Sequence, residues 1–172
     1  MAVWYEVEKS EAGINDFLDC NWGFHDFRPE LVSYVPGKDM VEIFLKYDTM
    51  REGVRLRFAW IHDMHVNTQR DYDAEWIYDS TLIRLENNAF IWLDEEGDKN
   101  DIDDLKKFAT WVEAERMFWA VTDGEGNPIE MPLDRIDQVW RDCLKNTITK
   151  KHFKLKEFGE NWDAILQPYY NR

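Results

Sequence analysis

The chain has 172 residues and a formal net charge of -14, yet 44% of its residues are hydrophobic and 15% are aromatic. Disordered acidic chains lack such aromatic content, so the composition predicts one folded domain with its own core. The negative charge repels phosphate backbones and anionic lipid surfaces, which argues against nucleic-acid and membrane partners.

The bulk sequence features also bear on the compartment. No apolar run approaches the roughly 18 residues that a membrane span needs, and the longest runs, such as Met117 to Val121, have five residues. The N-terminus lacks the basic region and apolar run of a signal peptide, so we expect the cytoplasm of a bacterium-like cell. Cys20 and Cys143 belong to no motif and are interpreted as reduced packing residues. The basic cluster from Lys145 to Lys156 lacks arginine and is interpreted as a solvated face.

The first third of the chain predicts a short strand, a helix and a three-stranded meander. Val3 to Glu8 is rich in aromatic and β-branched residues, which favours a strand. Ser10 is a candidate N-cap for a helix that ends near Cys20. Three alternating segments separated by turn residues then predict consecutive antiparallel strands. These segments are Leu31 to Val35, Val41 to Tyr47 and Val54 to Trp60.

The middle of the chain predicts a loop and two further strands. Ile61 to Asp73 is polar and contains histidine, which indicates a loop. Trp76 to Leu85 and Ala89 to Leu93 are predicted strands, joined by a short polar turn. Asp94 to Asp104 is strongly acidic and is expected to be exposed, with one short helix around Ile102 to Lys106.

The last predicted elements are one strand and one helix. Thr110 to Val121 fits both helical and strand spacing, and the turn signal from Thr122 to Pro128 favours a strand. Leu133 to Leu144 has apolar residues at helical spacing, with Pro132 in the first turn. The sequence therefore predicts a single α+β domain over 1–172. Its mostly antiparallel sheet has about seven strands, with two or three packed helices.

Histidines and carboxylates supply the first candidate site. His62, Asp63 and His65 lie close together in the sequence, and His25 lies upstream next to Asp26. Imidazole and carboxylate groups both ligate divalent metals, so His62, His65 and His25 are candidate ligands. The spacing of His62 and His65 differs from helical two-histidine motifs, and the alternative is a structural loop. Asp26 could also orient His25, although no serine stands in a hydrolase context.

Paired carboxylates are a second possibility. Glu113 and Glu115 would share one face of a strand, and Asp71 and Asp73 could do the same. A glycosidase needs two carboxylates across a sugar-sized cleft, with aromatic rings as a platform. Chance pairing is the competing explanation because 35 acidic residues are present. The aromatic residues at strand spacing, Trp92, Trp111 and Trp119, are more readily explained as core.

The acidic surface itself is a third candidate site. Opposite charge accelerates protein encounter, and exposed aromatic side chains anchor interfaces. A basic protein partner is therefore expected, while no cofactor is implied and the oligomeric state stays open. The candidate partner-binding residues are Asp94, Glu95, Glu96, Asp98, Asp101, Trp76 and Tyr78. The competing explanation is that the acidic surface serves solubility alone.

The element Gly23-Phe24-His25-Asp26, followed by a turn-bounded strand pair, resembles a pattern in several uncharacterised bacterial families. Some of these families are similar to immunity proteins of polymorphic-toxin systems, which bind and neutralise a toxin. The resemblance covers about residues 20 to 60. It implies an α+β intracellular domain without catalysis, and it assigns no binding residue.

Two functional hypotheses follow from the sequence. The first is a non-catalytic, immunity-like module that binds a protein partner through its acidic surface. The second is a metal-dependent hydrolase that uses His62, His65 and His25 as ligands. The first predicts exposed acidic and aromatic side chains side by side, and the second predicts histidines that converge on one point.

Overall fold

A computed structural model describes residues 2–35, 37–47, 52–67, 77 and 79–151, of which 143–151 are described by their backbone alone. Two long antiparallel strands form the middle of the sheet, β4 (Gly53–His65) and β7 (Trp111–Thr122). Their register runs from the pair Gly53 and Thr122 to the pair His65 and Trp111. The other strands are built outward from this pair.

The sheet has seven strands, and every strand pairing in it is antiparallel. The strand order is β2-β3-β4-β7-β6-β5, and β1 pairs with β7 beside β6. The remaining strands are β1 (Tyr5–Glu6), β2 (Phe27–Val35), β3 (Met40–Tyr47), β5 (Thr81–Arg84) and β6 (Phe90–Leu93). The predicted α+β fold with an antiparallel sheet of about seven strands is confirmed, and so is the β2-β3-β4 meander.

Three helices complete the described fold: α1 (Glu11–Cys20), α2 (Ile102–Leu105) and α3 (Leu133–Lys151). Ser10 is the predicted N-cap of α1, since its Oγ accepts a hydrogen bond of 3.0 Å from the Gly13 amide. Within the described ranges, no helix is long and apolar enough to cross a membrane.

The main core lies on one face of the sheet, beneath α1 and α3. Trp140 of α3 is fully buried, and its ring lies 5.1 Å from that of Phe27 and 6.3 Å from that of Tyr47. The Trp140 indole N–H donates to the Cys20 carbonyl at the end of α1, at 3.1 Å. This one side chain therefore joins both helices to the sheet. A smaller cluster, which includes Leu93 of β6, packs under α2 elsewhere in the fold.

The strand β4 extends further than its sequence pattern indicates. The prediction of a loop from Ile61 to Asp73 is wrong for the first part, because β4 continues to His65. Trp60 has a left-handed backbone, with a φ of 57°, and the register shifts between Ile61 and Asp63. This bulge breaks the alternation of buried and exposed residues, so the period-two pattern stops while the strand does not.

The same irregularity explains the mixed signal in β7. Buried residues alternate as Met117, Trp119 and Val121 in one half of the strand and as Val112 and Ala114 in the other. The two halves differ in phase, and the change falls where β7 pairs with the region of Trp60. The predicted strand is confirmed, and the shift of phase accounts for its partial match to helical spacing.

Trp140 provides a test of how α3 is held on the sheet. We expect Trp140→Ala to lower the free energy of unfolding by about 3–5 kcal/mol, because it leaves a cavity and removes a hydrogen bond. Leu133→Ala on the same helix is the control, since Leu133 is 49% exposed, and we expect a change within about 0.5 kcal/mol. Denaturant unfolding measures both variants, and equal losses would contradict this role of Trp140.

Candidate functional site

The three histidines predicted as metal ligands lie at two places in the fold. His62 and His65 are on β4, whereas His25 follows a tight turn over Trp22–Phe24. Among the residues that the structure describes, no group of three or more His, Cys, Asp or Glu side chains is arranged to hold a metal ion. The prediction of a metal centre formed by His25, His62 and His65 therefore finds no support.

The His62 ring lies between the two carboxylates that the sequence paired. Its Nδ1 is 3.4 Å from Glu113 Oε1, and its Nε2 is 2.6 Å from Glu115 Oε1. Lys106 and Lys9 approach the other oxygens of Glu113 and Glu115, at 3.5 and 3.7 Å. Because the carboxylates contact different nitrogens of one ring and each also approaches a lysine, the two glutamates belong to a polar network around His62.

His25 and Asp26 are neighbours without the contact that would orient a catalytic imidazole. The distance from His25 Nε2 to Asp26 Oδ1 is 3.8 Å, which exceeds hydrogen-bonding range. The Asp26 amide instead donates to the carbonyl of Ile77, at 2.9 Å. The backbone of this element thus ties the start of β2 to residue 77.

Asp94 corrects the prediction that the whole acidic segment is exposed. This residue is only 1% exposed, and its Oδ1 accepts a 2.8 Å hydrogen bond from the Thr110 amide. The Asp94 amide also donates to the Thr110 carbonyl at 3.0 Å. Asp94 therefore joins the ends of β6 and β7 and is not available as a partner-binding residue, because its carboxylate is enclosed.

The other predicted partner-binding residues divide into two groups. Glu96, Asp98 and Asp101 are exposed, and Glu95 is half-buried, as the sequence led us to expect for this part of the segment. Trp76 and Tyr78 lie outside the described residues. The acidic part of the predicted surface thus begins after Asp94.

The exposed acidic segment forms one wall of a groove, which we call the α1–β5 groove. The opposite wall is α1, and the floor is β5 with Ser80 just before it. The main part of the groove has a volume of about 600 Å³. A second cavity of about 390 Å³ continues it past Asp19 and Trp22, and the two cavities share Leu18, Ser80 and Glu96.

Negative charge prevails in the α1–β5 groove. Among the described residues, the two basic ones that line the groove each contact another group. The Arg84 guanidinium donates to the Lys9 carbonyl at 3.0 Å, and Lys99 Nζ lies 3.7 Å from Glu86 Oε1. The carboxylates that line the two cavities are Glu11, Asp19, Asp79, Glu96 and Asp98. A positively charged ligand therefore meets an excess of carboxylates along the groove.

Ser80 contributes a polar atom of a different kind. The residue is 7% exposed, and its Oγ is a buried oxygen that forms no hydrogen bond with the described residues. Its backbone is fixed, since the Ser80 amide donates to the Gly23 carbonyl at 2.7 Å. Buried hydroxyls almost always have a partner, so the Ser80 hydroxyl is a polar group left unsatisfied beside the junction of the two cavities.

A strained turn closes one end of the groove. Trp22, Gly23, Phe24 and Asp26 all have left-handed backbones, with φ of 53°, 59°, 62° and 64°. For residues other than glycine this conformation costs about 1–2 kcal/mol each, and strain of this kind is concentrated at functional sites. Gly23 leaves room for Asp79, because a Cβ there would lie 2.6 Å from Asp79 Oδ1 and would displace that carboxylate. The turn therefore brings Gly23 and Asp79 into close contact at the groove.

The strands β1, β4 and β7 carry a second surface with exposed aromatic and arginine side chains. Trp60 is 53% exposed and lies 5.6 Å from the Arg116 guanidinium. Arg116 also makes a bidentate ion pair with Glu6, at 2.6 and 2.7 Å. Arg57 stacks on the ring of Trp4 at 3.9 Å. These contacts hold the arginines in place by cation–π interaction and ion pairing.

Comparison with known proteins does not add to this geometry. No protein-family model, curated protein or solved structure matches the chain.

Sequence reasoning missed most of the groove. It identified Glu96 and Asp98 from their acidic segment, but it did not identify Glu11, Asp79 or Ser80. These residues belong to separate segments and form no motif. No local pattern connects them, because the order of the strands in the folded sheet is what places α1 beside β5.

Asp94 provides a test of the corrected assignment. We expect Asp94→Ala to lower the free energy of unfolding by about 2 kcal/mol, because it leaves the buried Thr110 amide without its acceptor. Asp94→Asn keeps an oxygen acceptor and should recover part of this loss. Glu96→Ala is the exposed control in the same segment, with an expected change within about 0.5 kcal/mol. A neutral Asp94→Ala in denaturant unfolding would restore Asp94 as a surface residue.

The Glu6–Arg116 ion pair predicts a pH effect. The hydrogen bond from Arg116 holds the pKa of Glu6 below its ordinary value. A carboxylate whose pKa is lowered by folding stabilises the protein above its unfolded-state pKa, and this contribution disappears as the pH falls through the folded-state value. We therefore expect wild type to be more stable than Glu6→Gln at about pH 7, and the difference to shrink as the pH falls below the unfolded-state pKa of about 4. Unfolding curves across this range measure it, and a pH-independent difference would contradict it.

Proposed function

We propose that this protein is a non-catalytic protein-binding module that holds a basic partner in the α1–β5 groove. The proposal depends on one observation: acidic residues from separate segments of the chain line the same concave surface. Glu11 comes from α1, Asp79 precedes β5, and Glu96 and Asp98 follow β6. Opposite charge accelerates the encounter of proteins and selects among partners, so such a groove favours a segment rich in lysine or arginine.

The position of the Gly23-Phe24-His25-Asp26 element supports an immunity-like role. This element carries the resemblance to toxin-immunity families, and its first residue lines the groove. In this proposal the basic partner is a toxin, and the protein acts in the bacterial cytoplasm, where it blocks that toxin by occupying its surface. The strained turn then serves to shape the binding surface rather than to support a reaction.

The proposal is tested with a defined basic probe. The probe is a fluorescent peptide of about eight residues that alternates Lys and Thr, and its binding is measured by anisotropy at about 50 and 300 mM salt. We expect saturable binding that weakens at the higher salt concentration. The triple variant Glu11→Gln, Glu96→Gln and Asp98→Asn should weaken binding about tenfold, because it removes three groove charges.

A matched variant separates the groove from the overall charge. It carries Glu125→Gln, Asp134→Asn and Asp142→Asn, which change the net charge by the same amount outside the groove. Asp134 matches Glu11, since both lie in the first turn of a helix. We expect the matched variant to bind within about twofold of wild type. If both triple variants weaken binding equally, the peptide binds through the overall negative charge of the protein. That result would contradict the α1–β5 groove as the binding site.

A further inference from the structure

The outer edge of β5 is open among the described residues. β5 is the last strand of the sheet, and β6 is its pairing partner. The Leu85 amide donates to the Ala89 carbonyl at 2.8 Å, which identifies the residues whose backbone groups face β6. Hydrogen-bonded pairs alternate along an antiparallel ladder, so Ile83 also faces β6. The N–H and C=O groups of Leu82 and Arg84 therefore point away from β6. Leu82 is only 4% exposed, whereas Arg84 is exposed, so Arg84 offers the accessible main-chain groups.

These outward groups belong to the strand that forms the floor of the α1–β5 groove. α1 forms one wall, and the segment from Glu96 to Lys99 forms the other. An extended peptide that enters between the walls meets the outward N–H and C=O groups of Arg84, which are spaced as in a β-ladder. An open strand edge binds extended segments in this way, since the main chain supplies affinity and alternate side chains supply specificity.

Ser80 supplies an observation independent of the acidic charge. It precedes Thr81, the first residue of β5, and lines both cavities of the groove. Its hydroxyl is buried and makes no hydrogen bond to the described residues. A peptide paired with β5 would carry backbone amides and carbonyls past this position, and a main-chain group could satisfy the hydroxyl.

We propose that the partner contributes an extended basic segment, which binds as an additional strand on the outer edge of β5. This inference rests on the proposed function, because it takes the basic partner and the groove from it. It adds the binding mode: backbone pairing at Arg84, a hydrogen bond at Ser80, and cationic side chains directed to the carboxylate walls.

The first experiment alters the backbone of the probe and leaves its charge unchanged. The alternating Lys-Thr peptide is compared with the same peptide N-methylated at its central amides. Methylation removes the donors that a strand ladder needs, so we expect affinity for the wild-type protein to fall at least about tenfold. Binding that survives methylation but is lost in the groove triple variant would overturn strand addition and leave the proposed function standing.

The second experiment alters the edge of β5 itself. Arg84→Pro removes the outward N–H, and an edge strand tolerates proline at such a position. Arg84→Ala is its matched control, because it removes the same side chain and keeps the N–H. We expect Arg84→Pro to bind the Lys-Thr peptide about tenfold more weakly than Arg84→Ala, with similar circular dichroism and melting temperature for the two variants. Equal affinities would contradict pairing at this edge.

Ser80→Ala gives a readout that does not depend on damage to the fold. Removal of an unpaired buried hydroxyl should leave the melting temperature unchanged or raise it. If the bound strand uses the hydroxyl, the same substitution should weaken peptide binding about fivefold. Unchanged affinity would overturn the role of Ser80. Failure of the unmodified peptide to bind wild type at low salt would overturn both strand addition and the proposed function.

Discussion

The pairing of β4 with β7 is the constraint on which the rest of the structure depends. One edge of β7 pairs with β4. The other edge pairs with β1 near Trp119 and with β6 near Val112. The chain leaves β1 directly into α1, so the helix starts beside the same edge of β7 that carries β6 and β5. β1 and β6 share this edge of β7, and β1 leads into α1 while β6 pairs with β5. The α1–β5 groove therefore follows from the shared edge, because it brings α1 and β5 to the same side of the molecule.

Local pattern predicted most of the elements because each was encoded by neighbours in sequence. The Ser10 cap, the alternation in β3 and the helical spacing in α3 could be recognised from a few adjacent residues. The pattern failed at Trp60, where a bulge changes the phase of both β4 and β7. A phase change requires knowledge of the partner strand, which local periodicity does not contain. The enclosure of Asp94 was hidden for the same reason, because its acceptor role depends on distant Thr110.

The candidate site was less predictable than the fold. Net charge indicated a basic partner, and the acidic segment correctly suggested Glu96 and Asp98 as exposed groups. Charge could not predict that Glu11 lies across from them or that Ser80 lies between, because strand order sets these neighbours. A strand edge is a property of the assembled sheet rather than of any segment. Binding surfaces formed from main-chain groups consequently leave little trace in a single sequence.

An open strand edge normally invites pairing with another copy of the same chain, and the charge of this protein opposes that outcome. A second copy would bring the same acidic walls to the groove, so the carboxylates around β5 would repel one another. A basic segment meets attraction where a second copy meets repulsion, although both offer the same backbone groups. The short length of β5 also limits self-association, because a strand of four residues offers few backbone hydrogen bonds to a second copy of the chain. In the proposed binding mode, the acidic walls thus favour a basic segment over a second copy of the chain.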